Sequence, residues 1–181
     1  MNNPDELNYI ERIRNGETNL FSYLVTRYSN SIYSLIVRIV LTKEDAEELT
    51  QDSFLKAFKK LDSFKGDCSF STWLFRIAVN ESLTFLSNQR EKFNVSIDEL
   101  QDNLSQGLEA DSYFSGDEVQ LQFQRAILTL PEKQRLVFNM KYFDNLKYEE
   151  MEEILGTSVG ALKASYHHAV KKIEQFLLHE V

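Results

Sequence analysis

The chain has 181 residues, 43% of them hydrophobic and 27% charged, with a net charge of -8, two prolines, six glycines and one cysteine. That length holds one large domain or two small ones; the lone Cys68 excludes an intrachain disulfide, and His167, His168 and His179 lack zinc-ligand spacing, so neither a metal nor another cofactor is expected. No apolar run approaches the roughly 18 to 20 residues of a membrane span, and the opening MNNPDELNYIERIRNGE carries no apolar signal core, so a cytoplasmic chain without a span of its own is expected.

Scarce proline and glycine, with abundant Leu, Glu, Lys and Gln, predict an all-α fold. The first helix runs from about Asp5 to Asn15 and stops at Asn15-Gly16. The second begins near Thr18 and continues to about Leu41, with Phe21, Leu24, Tyr28, Ile32, Leu35 and Ile39 along one face. Thr42 is placed to cap a third, whose first turn holds Lys43, Glu44 and Asp45. In that helix Ala46, Leu49, Phe54, Ala57, Phe58 and Leu61 can face a core, leaving Asp45, Glu48, Gln51, Asp52, Lys56 and Lys59 outside. Such a face is either simply solvated or a docking surface for a basic partner helix.

From Asp62 to Arg90 an aromatic loop feeds a fourth helix. Leu74, Ile77, Ala78 and Phe85 recur at helical spacing for packing, while Trp73, Arg76, Asn80 and Thr84 share another stripe. Phe64, Lys65, Ser69 and Phe70 lie just ahead. Rings that stack on a base, an amide and hydroxyls that read its edge, and cations that hold phosphate would suit an unpaired nucleotide. The same pattern suits a helix that uses Phe64, Phe70 and Trp73 as core.

Charge is uneven along the chain. Residues 1–92 carry 12 basic and 13 acidic side chains, residues 119–181 carry 8 of each, and residues 93–118 carry 7 acidic and no basic ones. The stretch NVSIDELQDNLSQGLEADSYFSG therefore reads as an acidic linker, with room for a transient helix near Ile97 to Leu104. Helix resumes near Asp117, with Val119, Phe123, Ala126, Ile127 and Leu130 on one side; Pro131 then opens a helix at its first position, carrying Leu136, Val137, Met140 and Phe143. Tyr148 to Leu155, the turn Gly156-Thr157-Ser158 and a long helix from Val159 give helix-turn-helix punctuation. Val159, Leu162, Tyr166, Ala169, Ile173 and Leu177 point inward there. Lys163, Ala164, His167, His168, Lys171 and Lys172 stay outside, a small residue and two imidazoles among lysines that could enter a major groove.

Three stretches in this order, DAEELTQDSFLKAFKKLDSF, FSTWLFRIAVN and LPEKQRLVFNMKYFDNLKYEEMEEILGTSVGALKASYHHAVKKI, resemble bacterial sigma factors of the extracytoplasmic-function group. The resemblance implies two helical domains, residues 1–92 and 117–181, joined by a linker over 93–116, in a non-enzymatic specificity subunit of RNA polymerase. It assigns Glu48, Gln51, Asp52 and Lys56 to the clamp helices of the largest polymerase subunit, and the second domain to the upstream-flap region. It assigns Lys65, Asp67, Ser69, Phe70, Ser71, Trp73, Arg76, Asn80 and Thr84 to the melted minus-ten element. Lys163, Ala164, His167, His168, Lys171 and Lys172 fall on the duplex minus-thirty-five element. The acidic linker would follow the path later taken by RNA, and an anti-sigma protein would hold the factor inactive.

The chain departs from that pattern in places. Relatives commonly carry arginine where it has Ser165, His168 and Val170, and a small apolar residue where it has Glu152; after the WLFRIAVN motif only Arg90 and Lys92 remain for phosphate. Two other classes stay open on sequence alone: a helix-turn-helix regulator acting without polymerase, and a helical interaction adaptor.

Overall fold

The computed structural model describes residues 4–93 and 118–179, and among these residues every regular element is helical. The α-helices are α1 (Pro4–Arg14), α2 (Phe21–Val40), α3 (Lys43–Lys59), α4 (Phe70–Phe93), α5 (Glu118–Leu128), α6 (Glu132–Tyr142), α7 (Tyr148–Leu155) and α8 (Val159–His179); single 3-10 turns occupy Thr18–Leu20 and Leu61–Ser63. The all-α expectation holds. The chain divides into two compact units, Met1–Leu86 with Glu153–Leu155, and Ser87–Glu152 with Gly156–Val181. The acidic linker and its transient helix fall outside the described residues. Among the described residues no helix is long and apolar enough to cross a membrane.

In the first unit α2 lies along α3, and α1 packs on α2 and on both 3-10 turns. Leu24, Ile32, Leu35, Ile36, Ala46 and Leu74 are wholly buried. Each such Leu or Ile stabilises the fold by roughly 1.5–3 kcal/mol through removal of apolar surface from water. The second helix begins as a 3-10 turn and becomes α-helical only at Phe21; it ends where Leu41 turns left-handed, φ 68°, and donates its N–H to the Val37 carbonyl at 2.9 Å. Thr42 occupies the cap position of α3 with extended backbone, but its hydroxyl donates to the Asp45 carboxylate instead of serving a backbone N–H.

The second unit is built on Ala126, Ile127, Leu130, Phe138, Ala169 and Ile173, with Phe123, Tyr166, Val170, Phe176 and Leu177 packed against them. Both α5 and α6 lie against α8, which makes α8 the axis of this unit. Pro131 precedes α6 as its cap and is not its first helical residue; with φ -53° and ψ 142° its backbone is extended, and the helix starts at Glu132. Gly156 leaves α7 at φ 64°, a conformation that costs a side-chain-bearing residue about 1 kcal/mol or more.

Candidate nucleic-acid and polymerase interfaces

The α4 start is fixed by hydroxyls. Ser69 caps it: Thr72 N–H donates to Ser69 Oγ at 3.1 Å, and the same oxygen lies 2.8 Å from Ser71 Oγ and 2.7 Å from Thr72 Oγ1. The helix therefore begins at Phe70. Three rings meet here, with centroids 5.7 Å apart for Phe64 and Phe70, 5.7 Å for Phe70 and Trp73, and 5.5 Å for Phe64 and Trp73.

Their exposure separates two roles that sequence spacing could not. Phe70 is 1% exposed and Phe64 3%, whereas Trp73 is half-buried. Phe70 is thus a correction: expected among the base-contacting residues, it is a core ring closed in by Phe64, Trp73 and, at 5.8 Å, Tyr28. It backs the indole and does not meet solvent. The other residues assigned to this site reach the surface: Lys65, Asp67, Asn80 and Thr84 are exposed, and Ser69, Ser71 and Arg76 are half-buried. Ser69 and Ser71 have their hydroxyls engaged with each other, so their first duty is to hold the loop.

Behind Phe70 lies a buried carboxylate. Glu6 of α1 is 4% exposed and accepts a hydrogen bond from the Tyr28 hydroxyl, while Arg27 Nε stands 3.0 Å from the same carboxylate oxygen. Burial first, and then the bond to Glu6, hold the Tyr28 phenol above its ordinary value. In the unfolded chain the phenol ionises near pH 10, so at higher pH the unfolded state binds fewer protons than the folded one. This group's contribution is therefore complete below about pH 10 and is lost as pH rises further. Tyr28→Phe should lower stability at neutral pH by about 1 kcal/mol and flatten the decline above pH 10, measured by urea unfolding against pH. An unchanged alkaline slope would contradict this.

The outer face of α3 presents Glu48, Gln51 and Asp52 to solvent. Lys56 is half-buried and ion-paired with Glu81 of α4, so it ties two helices together. Beside these residues, Leu55 is 56% exposed and Phe58 39% exposed. Phe58, expected in the core, only half enters it, because its ring stands edge-on to Phe21 at 5.0 Å and roofs the start of α2. Together with Phe21, Val25, Phe54 and Gln51 they line an apolar groove along α2 and α3. Leu55 is the exposed apolar residue of this face that sequence reasoning missed. Its signal was an apolar side chain adjoining the charged stripe.

In the second unit all six residues assigned to duplex DNA, Lys163, Ala164, His167, His168, Lys171 and Lys172, are exposed on one side of α8, opposite buried Leu162, Ala169 and Ile173. The helix is positioned by its start: Ala161 N–H donates to Ser158 Oγ at 3.4 Å and Val159 N–H to Glu152 Oε1 at 3.3 Å. That contact accounts for Glu152. A carboxylate from α7 satisfies an orphan N–H of α8 and complements the positive end of its dipole. Val170 likewise packs partly on the core where an arginine would project. The ammonium groups of Lys141 and Lys163 lie 5.2 and 5.6 Å from the Tyr148 ring centre, and burial pushes the Tyr148 phenol up, so the ring remains a neutral platform beneath the lysines.

The described residues form a helical unit with a ring-backed loop and a helical unit with a helix-turn-helix, and the sequence matches two models of the sigma-70 class. The Sigma-70 region 2 family model matches residues 24–92, and the Sigma-70, region 4 model matches residues 120–173. The ECF RNA polymerase sigma-E factor of Salmonella typhimurium is 32% identical over 173 residues, covering 91% of this chain and 90% of that protein. This chain belongs to the extracytoplasmic-function sigma factor family. Two solved structures share the fold: CnrH in complex with the cytosolic domain of CnrY, with TM-score 0.69, 21% identity and coverage of 96% of this chain and 97% of that one; and the sigma factor RpoE in complex with the anti-sigma factor NepR from Bartonella quintana, with TM-score 0.68, 20% identity and coverage of 87% and 96%.

Proposed function

We propose that this chain binds core RNA polymerase in the cytoplasm and directs it to a particular set of promoters, acting by binding and making or breaking no covalent bond. Residues 1–92 serve as the domain that meets polymerase and the melted element, residues 117–181 as the domain that meets upstream duplex, and residues 93–116 as the tether. The observation that carries this reading is the half-buried Trp73, backed by Phe64 and Phe70 and followed along α4 by exposed Asn80 and Thr84. An unpaired base can stack on the open indole while the amide and hydroxyl reach its edge. Capture in this way offsets the few kcal/mol spent on unstacking the base.

Glu48, Gln51 and Asp52, with Leu55 one turn further along the same face, form the surface offered to the polymerase clamp helices; Lys56 supports it through Glu81. The second domain engages the upstream-flap region while α8 reads DNA. A polymerase-independent regulator would have no use for Trp73 and the polar residues that follow it along α4. A neighbour in fold was solved with an anti-sigma factor, and a partner of that kind, covering the α3 surface, is part of this proposal.

Co-purification with core polymerase tests the reading: the full chain should be retained, and a chain that passes through unretained would contradict it. On upstream duplex, the holoenzyme carrying Lys163→Gln and Lys171→Gln should show a slope of log affinity against log salt reduced by about 2, roughly one unit per phosphate contact removed. An unchanged slope would remove these lysines from the phosphate contacts.

A further inference from the structure

Helix α1 precedes the stretch matched to Sigma-70 region 2, yet it meets the loop before α4 at one end and, through Tyr28, the Phe70 ring at the other. At its last residue, Arg14 Nη2 donates to the Leu61 carbonyl at 2.7 Å and also to the Phe64 carbonyl. Those two oxygens bracket the turn from which Lys65, Gly66 and Asp67 project. Gly66 takes φ 81°, so the loop bends sharply just beyond the point that Arg14 holds. At the other end of α1, buried Glu6 accepts from Tyr28, whose ring lies against Phe70 under the indole. The Arg14 pair with Asp62, 3.9 Å apart with Asp62 91% exposed, adds little, because such exposed pairs are screened. Arg14 therefore acts through the carbonyls.

We infer that Arg14 is a positioning residue for single-strand capture: it clamps the stem of the 64–69 loop so that Lys65 and Asp67 are presented in register with the Trp73 face. The inference rests on the function proposed above. Both bonds use the two hydrogens of the one Nη2, which the planar guanidinium holds in fixed directions, whereas the hydrogens of an ammonium on a flexible stem rotate freely. The clamp acts before DNA arrives. Its effect is preorganisation, in which loop ordering is completed on folding and is not charged against binding.

The test uses holoenzyme assembled from the full chain and core polymerase. The probe is a pool of fork-junction DNAs, randomised in the duplex and single-stranded arms and enriched on wild-type holoenzyme. Arg14→Gln should weaken fork binding about tenfold, with polymerase affinity and binding of the fully duplex upstream arm unchanged. Arg14→Lys, which keeps the charge and at least one donor, should fall between the two. Arg12→Gln is the control: it removes the same charge from a different face of α1, where Arg12 Nε meets Glu17 at 2.9 Å and no part of the loop, and should bind forks as wild type does. If Arg14→Gln binds forks within twofold of wild type, if Arg12→Gln loses as much, or if Arg14→Gln loses polymerase and fork together, the inference is overturned while the proposed function stands. If wild-type holoenzyme prefers no fork over blunt duplex, the proposed function fails and carries this inference with it.

Discussion

Replacing Trp73 by alanine should weaken binding of a fork-junction promoter by holoenzyme about fivefold to a hundredfold, the range that base stacking on an aromatic side chain supplies. The loss should be concentrated on DNA with an unpaired downstream arm. Fully duplex upstream DNA, which the proposed function assigns to α8, should bind as before. Because the indole also packs against Phe64 and Phe70, alanine leaves a partial cavity and lowers stability as well. Trp73→Phe separates the two effects, since it retains a stacking face and most of the packing; it should recover much of the fork binding. Equal loss on duplex and fork DNA, or a phenylalanine variant no better than alanine, would contradict the stacking role. Phe70→Ala, by contrast, should act mainly through stability, because its ring is sealed beneath the indole.

Leu55→Asp should weaken assembly with core polymerase by about thirtyfold or more, the scale of a desolvated hot spot at the centre of an interface. Leu55 is 56% exposed, so a carboxylate there costs the isolated chain little. In a complex it would be buried without a partner amid Glu48, Gln51 and Asp52. Thermal stability of the free chain should remain within a few degrees of wild type while retention on polymerase is lost. Normal assembly would remove the α3 surface from the interface.

These two residues also show how far the sequence could be read. Helix α7 and its exit were legible because Gly156-Thr157-Ser158 combines a residue tolerant of positive φ with a hydroxyl able to cap the next helix, and both act locally. The exposed side of α8 was legible because buried Leu162, Ala169 and Ile173 keep strict helical spacing. Phe70 was misassigned because a ring three residues before Trp73 looks the same whether it stacks on a base or on protein. The deciding neighbour, Tyr28, comes from another helix. In α3 the adjacent apolar residues Phe54, Leu55, Ala57 and Phe58 span too wide an arc for one buried stripe, and only packing against α2 decides that Phe54 enters while Leu55 stays out. The reason for Glu152 lies across the turn, where its carboxylate accepts from the Val159 N–H, a partner that local sequence does not reveal. Pro131 marked the start of α6 to within one residue, a shift that local punctuation cannot resolve.

Run-off transcription with purified core polymerase on a library of bacterial promoter fragments tests the central claim most directly. Addition of the wild-type chain should yield discrete transcripts from a subset of fragments, and the Trp73→Ala chain should yield markedly less of the same transcripts. Transcripts that are the same with and without the chain would contradict the account.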